Sequence, residues 1–539
     1  MQLTHSEFSN FGPYRSRNSF TCNYYTLPAP LLQAPHVAAA LSAAMPGTRA
    51  QADVKILWTG RSSTCLKTGP ASIKFFKRGR ELARPTSYTK KCSLCAARRE
   101  GTATRCVLAF AFGGQSGIIV AANHPRGASA VKKNDIIQLA FTAMTAQGMA
   151  LGRHEGMAVF VPLAAPGDVG RVRIVKVEKN FCYGRLEGLL SPSPCRIEPD
   201  CPCFAQCGGC CYRHITYEEE LRVKQQRVRD ALERIGGFAS LPLEPILGAP
   251  QRDGYRNKAL LPLGAGPDGG LAMGFYAVNS HRIIDCHGCR LHPPQFNRLM
   301  EAFRGWAEKY PAPVYEEPAH TGLLRRLYLR QGYATGELMA CVVANGESLP
   351  HEKELVEALR AAVPGLTTVV LNTNRDRTNV ALGKGLRTLY GPGVIHDQLC
   401  GLGFSISPLS FYQVNAAQAQ RLYEKAAEYA ALTGEETLLD LYCGTGTIGL
   451  SMARQAKGLV GVEVVPQAVA DARENARRNG ITNARFLCAD AAQAARQLER
   501  EGVRPQVVVL DPPRKGCSRE LVETVAAMAP QRIVYVSCD

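Results

Sequence analysis

Apolar and polar positions fall into three successive patterns along the chain, after an opening stretch that has none. Residues 1–130 show no sustained period of 2 or 3.6. From about residue 134 the pattern becomes short strands. "DIIQLAFTAMT", "MAVFVPLA" and "DVGRVRIVKVEKNFCYGRLEGLL" carry β-branched and aromatic residues between Gly and Pro breaks. Five short strands in about 60 residues predict a small OB-like barrel. A helix is predicted from Tyr217 to Ile235, closed by Gly236-Gly237. Residues 251–395 read as mixed strands and helices, among them "GYRNKALLPL", "GLLRRLYLRQ" and "GLTTVVLNTN". From about 436 the rhythm is strand and helix in alternation. Strands read at "TLLDLY", "GLVGVEV", "ARFLCAD", "QVVVLDPP" and "RIVYVSC", with helical patterns between them. That alternation predicts an α/β fold with a parallel, doubly wound sheet.

Composition fits a soluble globular chain of several domains: 539 residues, 46% hydrophobic and 20% charged. No stretch reads as a membrane helix. Val107 to Ala122 is interrupted by Gly and Gln, and Leu31 to Met45 contains Pro35 and His36. No secretory signal opens the chain, so a cytoplasmic protein is expected. The net charge of +18 invites a nucleic-acid partner. Its placement weakens the invitation, because residues 1–130 hold 17 Lys/Arg against 4 Asp/Glu and leave only +5 for the other 409. This leader is expected to be disordered or non-native, with Val131 as an alternative start; an organellar transit peptide is the rival. "CSLC" at Cys92 and Cys95 has zinc spacing but only Cys106 nearby, too few for a four-ligand site.

Nine of the 20 cysteines fall between Cys182 and Cys289. Without an export signal, a metal or cluster site is favoured over disulfides. Cys201-x5-Cys207-Gly-Gly-Cys210 offers three thiolates around a glycine turn, and Cys289 in "IDCHGCRL" offers a fourth. Four thiolates hold zinc or an iron–sulfur cluster, and spacing does not choose between them. Cys203, Cys211 and Cys286 are spare candidates.

"DLYCGTGTIG" places Gly444, Gly446 and Gly449 in G-x-G-x-x-G spacing between a strand and a helix. Such glycines let the backbone approach a nucleotide-like ligand. Glu463, nineteen residues on, can accept both ribose hydroxyls. NAD and S-adenosylmethionine fit this equally. Asp440 favours the methyl donor, since a carboxylate sits badly beside a pyrophosphate and well beside a cationic methionine end. Asp490 follows the third strand, near where an adenine would lie. Asp511 opens "DPPRKG" after the fourth strand, at the carboxyl end of the sheet. A basic Arg514 after Asp-Pro-Pro argues against amine methylation of adenine, which uses an aromatic there.

Cys538 follows the fifth strand on the same rim. A terminal Cys is more often a buried small hydrophobe. Here the glycine loop, Asp-Pro-Pro and rim position together favour a nucleophile. A thiolate that adds to C6 of a pyrimidine makes C5 able to take a methyl group. A base must then remove the C5 proton.

Cys-x5-Cys-Gly-Gly-Cys, "SPLSFYQVN", "LDLYCGTGTIGL", "DPPRKG" and "VYVSC" occur in this order. Together they resemble the RNA (uracil-5-)-methyltransferase family, in particular the TRAM-bearing, 4Fe–4S branch that acts on 23S rRNA. "FVPLAAPGDVGRVRIVKVEK" resembles the TRAM domain, a small RNA-binding barrel; the alternative is a structural barrel with Lys176, Lys179 and Arg185 as a solvated face. The resemblance covers about 131–539. It implies a TRAM barrel at 131–195, an iron–sulfur and central RNA-binding domain of mixed α+β type at 196–395, and a class I (Rossmann-like) methyltransferase domain at 396–539. It implies S-adenosylmethionine as methyl donor and a 4Fe–4S cluster on Cys201, Cys207, Cys210 and Cys289. Gln413, Tyr442, Glu463 and Asp511 match donor-site positions, with Gly444, Gly446 and Asp490 beside them, and Cys538 matches the nucleophile. RNA is the implied partner, 23S rRNA ahead of tRNA, for a monomer. Family members carry their catalytic glutamate and last sheet strands beyond the nucleophile. The expectation is therefore a methyltransferase domain truncated after its fifth strand and unable to turn over; a non-catalytic RNA-binding protein is the alternative.

Overall fold

The computed structural model describes residues 107–112, 115–120 and 131–538, apart from 239, 267–268 and 378–379. Strands β1 (Val107–Phe112) and β2 (Gln115–Val120) form an antiparallel hairpin. The other expectations for residues 1–130, Cys92 and Cys95 included, lie outside the described residues.

Strands β3 (Ile136–Met144), β4 (Met149–His154), β5 (Met157–Pro162), β6 (Val169–Val177) and β7 (Phe181–Ser191) close a barrel in the order β3-β4-β5-β7-β6. Alternation places Val159, Val161, Val172 and Ile174 inside, fully buried. Lys176 pairs with Glu178 and Arg185 with Glu187, both at 2.7 Å, so these two cations are already matched by acids on the surface. Asp168, with no exposed surface, accepts from Arg196 at 2.9 Å and fastens the barrel to the chain that follows it.

Helix α1 (Tyr217–Asp230) starts at Thr216, whose side chain accepts from the Glu219 amide. It does not run as an α-helix to Ile235. Residues Ala231–Ile235 form a π-turn, in which the Gly236 amide reaches back five residues to Ala231, and Gly237 then takes the left-handed conformation at φ 73°.

A seven-stranded mixed sheet follows. Its strands are β8 (Lys258–Ala265), β9 (Leu271–Tyr276), β10 (Ile283–Asp285), β11 (Leu324–Gln331), β12 (Leu338–Ala344), β13 (Leu366–Thr373) and β14 (Gly385–Tyr390), ordered β10-β9-β8-β11-β12-β13-β14. Helices α2 (Pro294–Lys309) and α3 (Glu352–Ala362) bury Phe296, Phe303 and Leu355 in one core with Leu261, Leu327 and Leu371 of the sheet.

The hairpin β15 (Ile395–Leu399) and β16 (Leu402–Ile406) and helix α4 (Ala416–Ala430) lead into the last unit. There β17 (Thr437–Leu441), α5 (Thr447–Ala453), β18 (Gly458–Glu463), α6 (Pro466–Arg478), β19 (Ala484–Cys488), α7 (Ala491–Arg500), β20 (Val507–Leu510), α8 (Arg519–Ala527) and β21 (Arg532–Tyr535) alternate. The five strands are parallel, ordered β19-β18-β17-β20-β21. All of β20 is buried, as a strand covered by helices on both faces must be. Strand order reverses at β17, so a crevice opens between the carboxyl ends of β17 and β20. No helix among the described residues is long and apolar enough to cross a membrane.

Candidate active site and thiol cluster

The glycine loop joins β17 to α5. Tyr442, Gly444 and Gly446 all take left-handed backbone angles, at φ 66°, 56° and 82°. For Tyr442 that conformation is strained and needs support from its surroundings. Gly449 has a different reason to be glycine. A Cβ there would lie 2.7 Å from Asp440 Oδ2 and 2.9 Å from Leu459 Cδ1. Its amide instead donates to Asp440 Oδ2 at 2.9 Å. Asp440 is 1% exposed and its Oδ1 has no hydrogen-bond partner among the described residues. Burial pushes its carboxyl up to about 7, and Asp511 and Glu463 push the same way.

Glu463 ends β18 with both oxygens in use. Oε2 accepts from the Gly444 amide at 3.1 Å, and Oε1 accepts from Val464 and Val465 at 2.9 Å. It therefore splints the glycine loop to β18, and carboxylate lone pairs remain for a ligand. Asp490 is exposed and caps α7, accepting from Ala492 and Gln493. Asp511 follows β20, and burial pushes its carboxyl up to about 6. Gln413 lies in the loop before α4, with its carbonyl held by Asn257 Nδ2 at 2.8 Å.

Two groups that sequence reasoning missed tie these parts together. The Tyr423 hydroxyl, buried on α4, lies 3.2 Å from Thr447 Oγ1 and also bonds to the Gln413 side chain beside Asp511. The Cys517 thiol, just after "DPPRKG", sits between the hydroxyls of Tyr442 and Tyr535. Tyr423 reads as an ordinary core position of an amphipathic helix, so the sequence carries no separate signal for it.

The fifth strand ends at Tyr535, although the Val536 amide still bonds to Leu510 at 2.7 Å. Cys538 stands beyond it, half-buried on the rim. It lines a cavity of about 1040 Å³ together with Tyr535, Ser537, Tyr217, Tyr255 and Cys210. The structure brings Cys538 and Cys210 to this one cavity, and Gln413, Tyr442, Glu463 and Asp511 are not among its lining residues.

Cys201, Cys207, Cys210 and Cys289 share one neighbourhood. Each of Cys207, Cys210 and Cys289 feels the charge of other members of the set. Burial and this mutual repulsion push Cys207 up to about 11 and Cys210 up to about 12. Such thiols become thiolates only beside a cation. The Gly209 amide donates to Cys207 Sγ at 3.3 Å. The spare cysteines stand close by: Cys203, which bonds to Cys286 and the Asp285 carbonyl, feels the charge of Cys201, Cys286 feels that of Cys289 and Cys207, and Cys211 turns toward the Ala146 carbonyl. Among the described residues no three His, Cys, Asp or Glu side chains converge closely enough for a single metal ion.

Residues 402–539 match the family model described as tRNA (Uracil-5-)-methyltransferase, and residues 131–186 match the TRAM domain. A protein of Halalkalibacterium halodurans named as an uncharacterized RNA methyltransferase is 42% identical over 409 residues, or 76% of this chain and 89% of that protein. The chain belongs to the RNA (uracil-5-)-methyltransferase family. A Clostridium tetani protein, also named as an uncharacterized RNA methyltransferase, is 41% identical over 76% of this chain and 88% of its own length. Among solved structures, the Pyrococcus abyssi tRNA (uracil-54, C5)-methyltransferase in complex with S-adenosyl-L-homocysteine matches with a TM-score of 0.59 and 26% identity. The match covers 74% of this chain and 90% of that one. This family member is an S-adenosylmethionine-dependent RNA methyltransferase by its fold, with a TRAM barrel for RNA.

Proposed function

We propose that the protein is a methyltransferase for C5 of a uridine in 23S rRNA, with Cys538 as nucleophile and with the base that completes turnover supplied, as the family resemblance implies, by a glutamate beyond the nucleophile. One observation carries this reading: Cys538 stands at the carboxyl rim of the methyltransferase sheet and opens into the large cavity shared with α1 and Cys210. The target uridine leaves its stack and enters that cavity. The Cys538 thiolate adds to C6. C5, now an enolate carbon, takes the methyl group from the donor's sulfonium, which leaves as S-adenosylhomocysteine. A base removes the C5 proton, the C6–S bond breaks, and the thiolate is restored.

The donor residues act by position. Gly444 and Gly446 let the backbone approach the nucleoside, Glu463 faces the ribose, and Asp440 stabilises the cationic methionine end. Gln413, Tyr442, Asp490 and Asp511 complete the donor site. Gly449→Ala is expected to displace the Asp440 carboxylate and weaken S-adenosylhomocysteine binding about tenfold, since overpacking costs roughly 1–3 kcal/mol. Isothermal titration checks this, and unchanged affinity would separate Gly449 from the donor site.

Cys201, Cys207, Cys210 and Cys289 would hold a 4Fe–4S cluster. Four thiolates are the donor set such a cluster takes, and these four would anchor it without closing on a single ion. Its role is structural and RNA-supporting, because methyl transfer by this route needs no electron. Anaerobically purified protein is expected to be brown and to contain iron and sulfide. Cys207→Ser should lose the colour together with RNA affinity or stability. Bound zinc in place of iron, or a colourless variant with unchanged folding and RNA binding, counts against this assignment.

RNA carrying 5-fluorouridine tests the chemistry. The C5 fluorine cannot leave as the proton does, so a methylated covalent adduct should accumulate only when S-adenosylmethionine is present. A second reading, tRNA as substrate, is favoured by the activity for which the Pyrococcus abyssi protein is named. A deletion strain separates the two: 5-methyluridine disappears from 23S rRNA in the first case and from tRNA in the second.

A further inference from the structure

Strand register sets two cations face to face. Lys258, first residue of β8, is the direct cross-strand partner of Arg330 on antiparallel β11. Like charges directly opposite each other destabilise a sheet. Burial makes this pair worse. Arg330 is 1% exposed, and its Nη2 has no hydrogen-bond partner among the described residues. Its Nη1 donates to the carbonyls of Ser407 and Ser410, at 2.9 and 2.7 Å. Lys258 is half-buried and has neither a hydrogen bond nor an ion pair among the described residues. Arg256 acts on it as a third positive charge. Burial and the two guanidiniums push the Lys258 ammonium down to about 8, which still leaves it mostly charged at neutral pH. Asp397 is the carboxylate that acts on Arg330, so a net positive charge remains.

The place of this charge gives it meaning. Asn257, next to Lys258, holds the loop that carries Gln413: its amide donates to Val414 and its Nδ2 to Gln413. Arg330 grips the same loop at Ser407 and Ser410. The cations therefore stand on the central sheet, at its seam with the methyl-donor loop. The acids of the donor site lie on the other sheet, at Asp440, Glu463 and Asp511. A half-buried, unpaired ammonium flanked by two guanidiniums is a site for an oxyanion.

We propose that Lys258, backed by Arg256 and Arg330, binds a phosphodiester of the RNA substrate beside the donor loop. This rests on the RNA methyltransferase reading and adds a residue that positions the RNA strand. The test compares wild type, Lys258→Met and Lys258→Arg. The probe is a fluorescein-labelled RNA hairpin with a uridine-rich loop, followed by anisotropy from about 50 to 200 mM salt. Lys258→Met should weaken binding about tenfold and flatten the log–log salt slope by about 0.7–0.9, and Lys258→Arg should restore both. Affinity for S-adenosylhomocysteine should not change. The melting temperature of RNA-free Lys258→Met should equal or exceed that of wild type, because the repulsion is relieved. If that variant melts early, Lys258→Gln replaces it and must show the same flattened slope. An unchanged slope overturns the proposal. Lost S-adenosylhomocysteine affinity with an intact slope also overturns it, by assigning the cations to the donor's carboxylate. Failure of wild type to trap 5-fluorouridine RNA would instead strike the parent reading, which the salt slope does not test.

Discussion

Cys538→Ala is expected to form no covalent adduct with 5-fluorouridine RNA, while binding of RNA and of S-adenosylhomocysteine stays within a few-fold of wild type. Loss of a nucleophile costs roughly 10⁴–10⁶ in rate, because the remaining groups position the substrate without opening the covalent route. The fold should be untouched. Cys538 lies beyond the last residue of β21, and the core at that end is filled by Val534 and Val536, which are 1% and 2% exposed. Denaturing gel shift reads the adduct, and a melting curve reads the fold. A variant that still traps RNA at the wild-type rate would move the nucleophile to another thiol. Cys517, between Tyr442 and Tyr535, is a rival on the same rim.

The second large effect concerns pH. The Asp440 carboxyl is raised from 3.8 to about 7 in the folded chain. A raised carboxyl favours the fold in its neutral form, so its contribution to stability falls as pH rises between about 4 and 7. The methyl donor reverses this preference, because its cationic end favours the carboxylate. If only the ionised form binds, affinity for S-adenosylmethionine should rise about tenfold from pH 6 to pH 8, as the ionised fraction grows from about a tenth to about nine-tenths. Binding near pH 6.5 should release a proton, visible as a dependence of the calorimetric heat on buffer ionisation enthalpy. Asp440→Asn should flatten the profile and leave affinity at pH 8 about tenfold or more below wild type. Asp511, raised to about 6, titrates in the lower part of this window. Asp511→Asn should move the midpoint of the profile down without flattening it, because Asp511 also helps to raise Asp440. A profile that stays steep in Asp440→Asn would remove Asp440 from the donor site.

The elements most legible in the sequence are those fixed by local period or backbone need. "TLLDLY" and "QVVVLDPP" are apolar on both faces because helices cover both sides of a parallel sheet. The barrel strands alternate because only one face is packed. Gly444 and Gly446 are glycines for their left-handed angles, and Gly449 for its closeness to Asp440. The central sheet was less legible. Its order places β8 between β9 and β11, a pairing across more than sixty residues that no local pattern encodes. The π-turn after Asp230 has the same periodicity as the helix it ends. In the site, motif positions gave the acids and the rim cysteine. They could not show that Asp490 caps α7, or that Glu463 already holds the Gly444 amide. Tyr423, Cys517 and Tyr535 were hidden because a buried phenol or thiol reads as core until its hydroxyl or sulfur partner is placed. The opposition of Lys258 and Arg330 depends on register alone.

The most direct test of Cys538 as the nucleophile is to digest the trapped wild-type complex and locate the nucleotide by mass spectrometry. The account predicts that the peptide containing "VYVSC" carries the methylated 5-fluorouridine on Cys538, and only when S-adenosylmethionine was supplied. A nucleotide found on Cys517 or any other cysteine, or an adduct that forms unmethylated as readily without the donor, would contradict it.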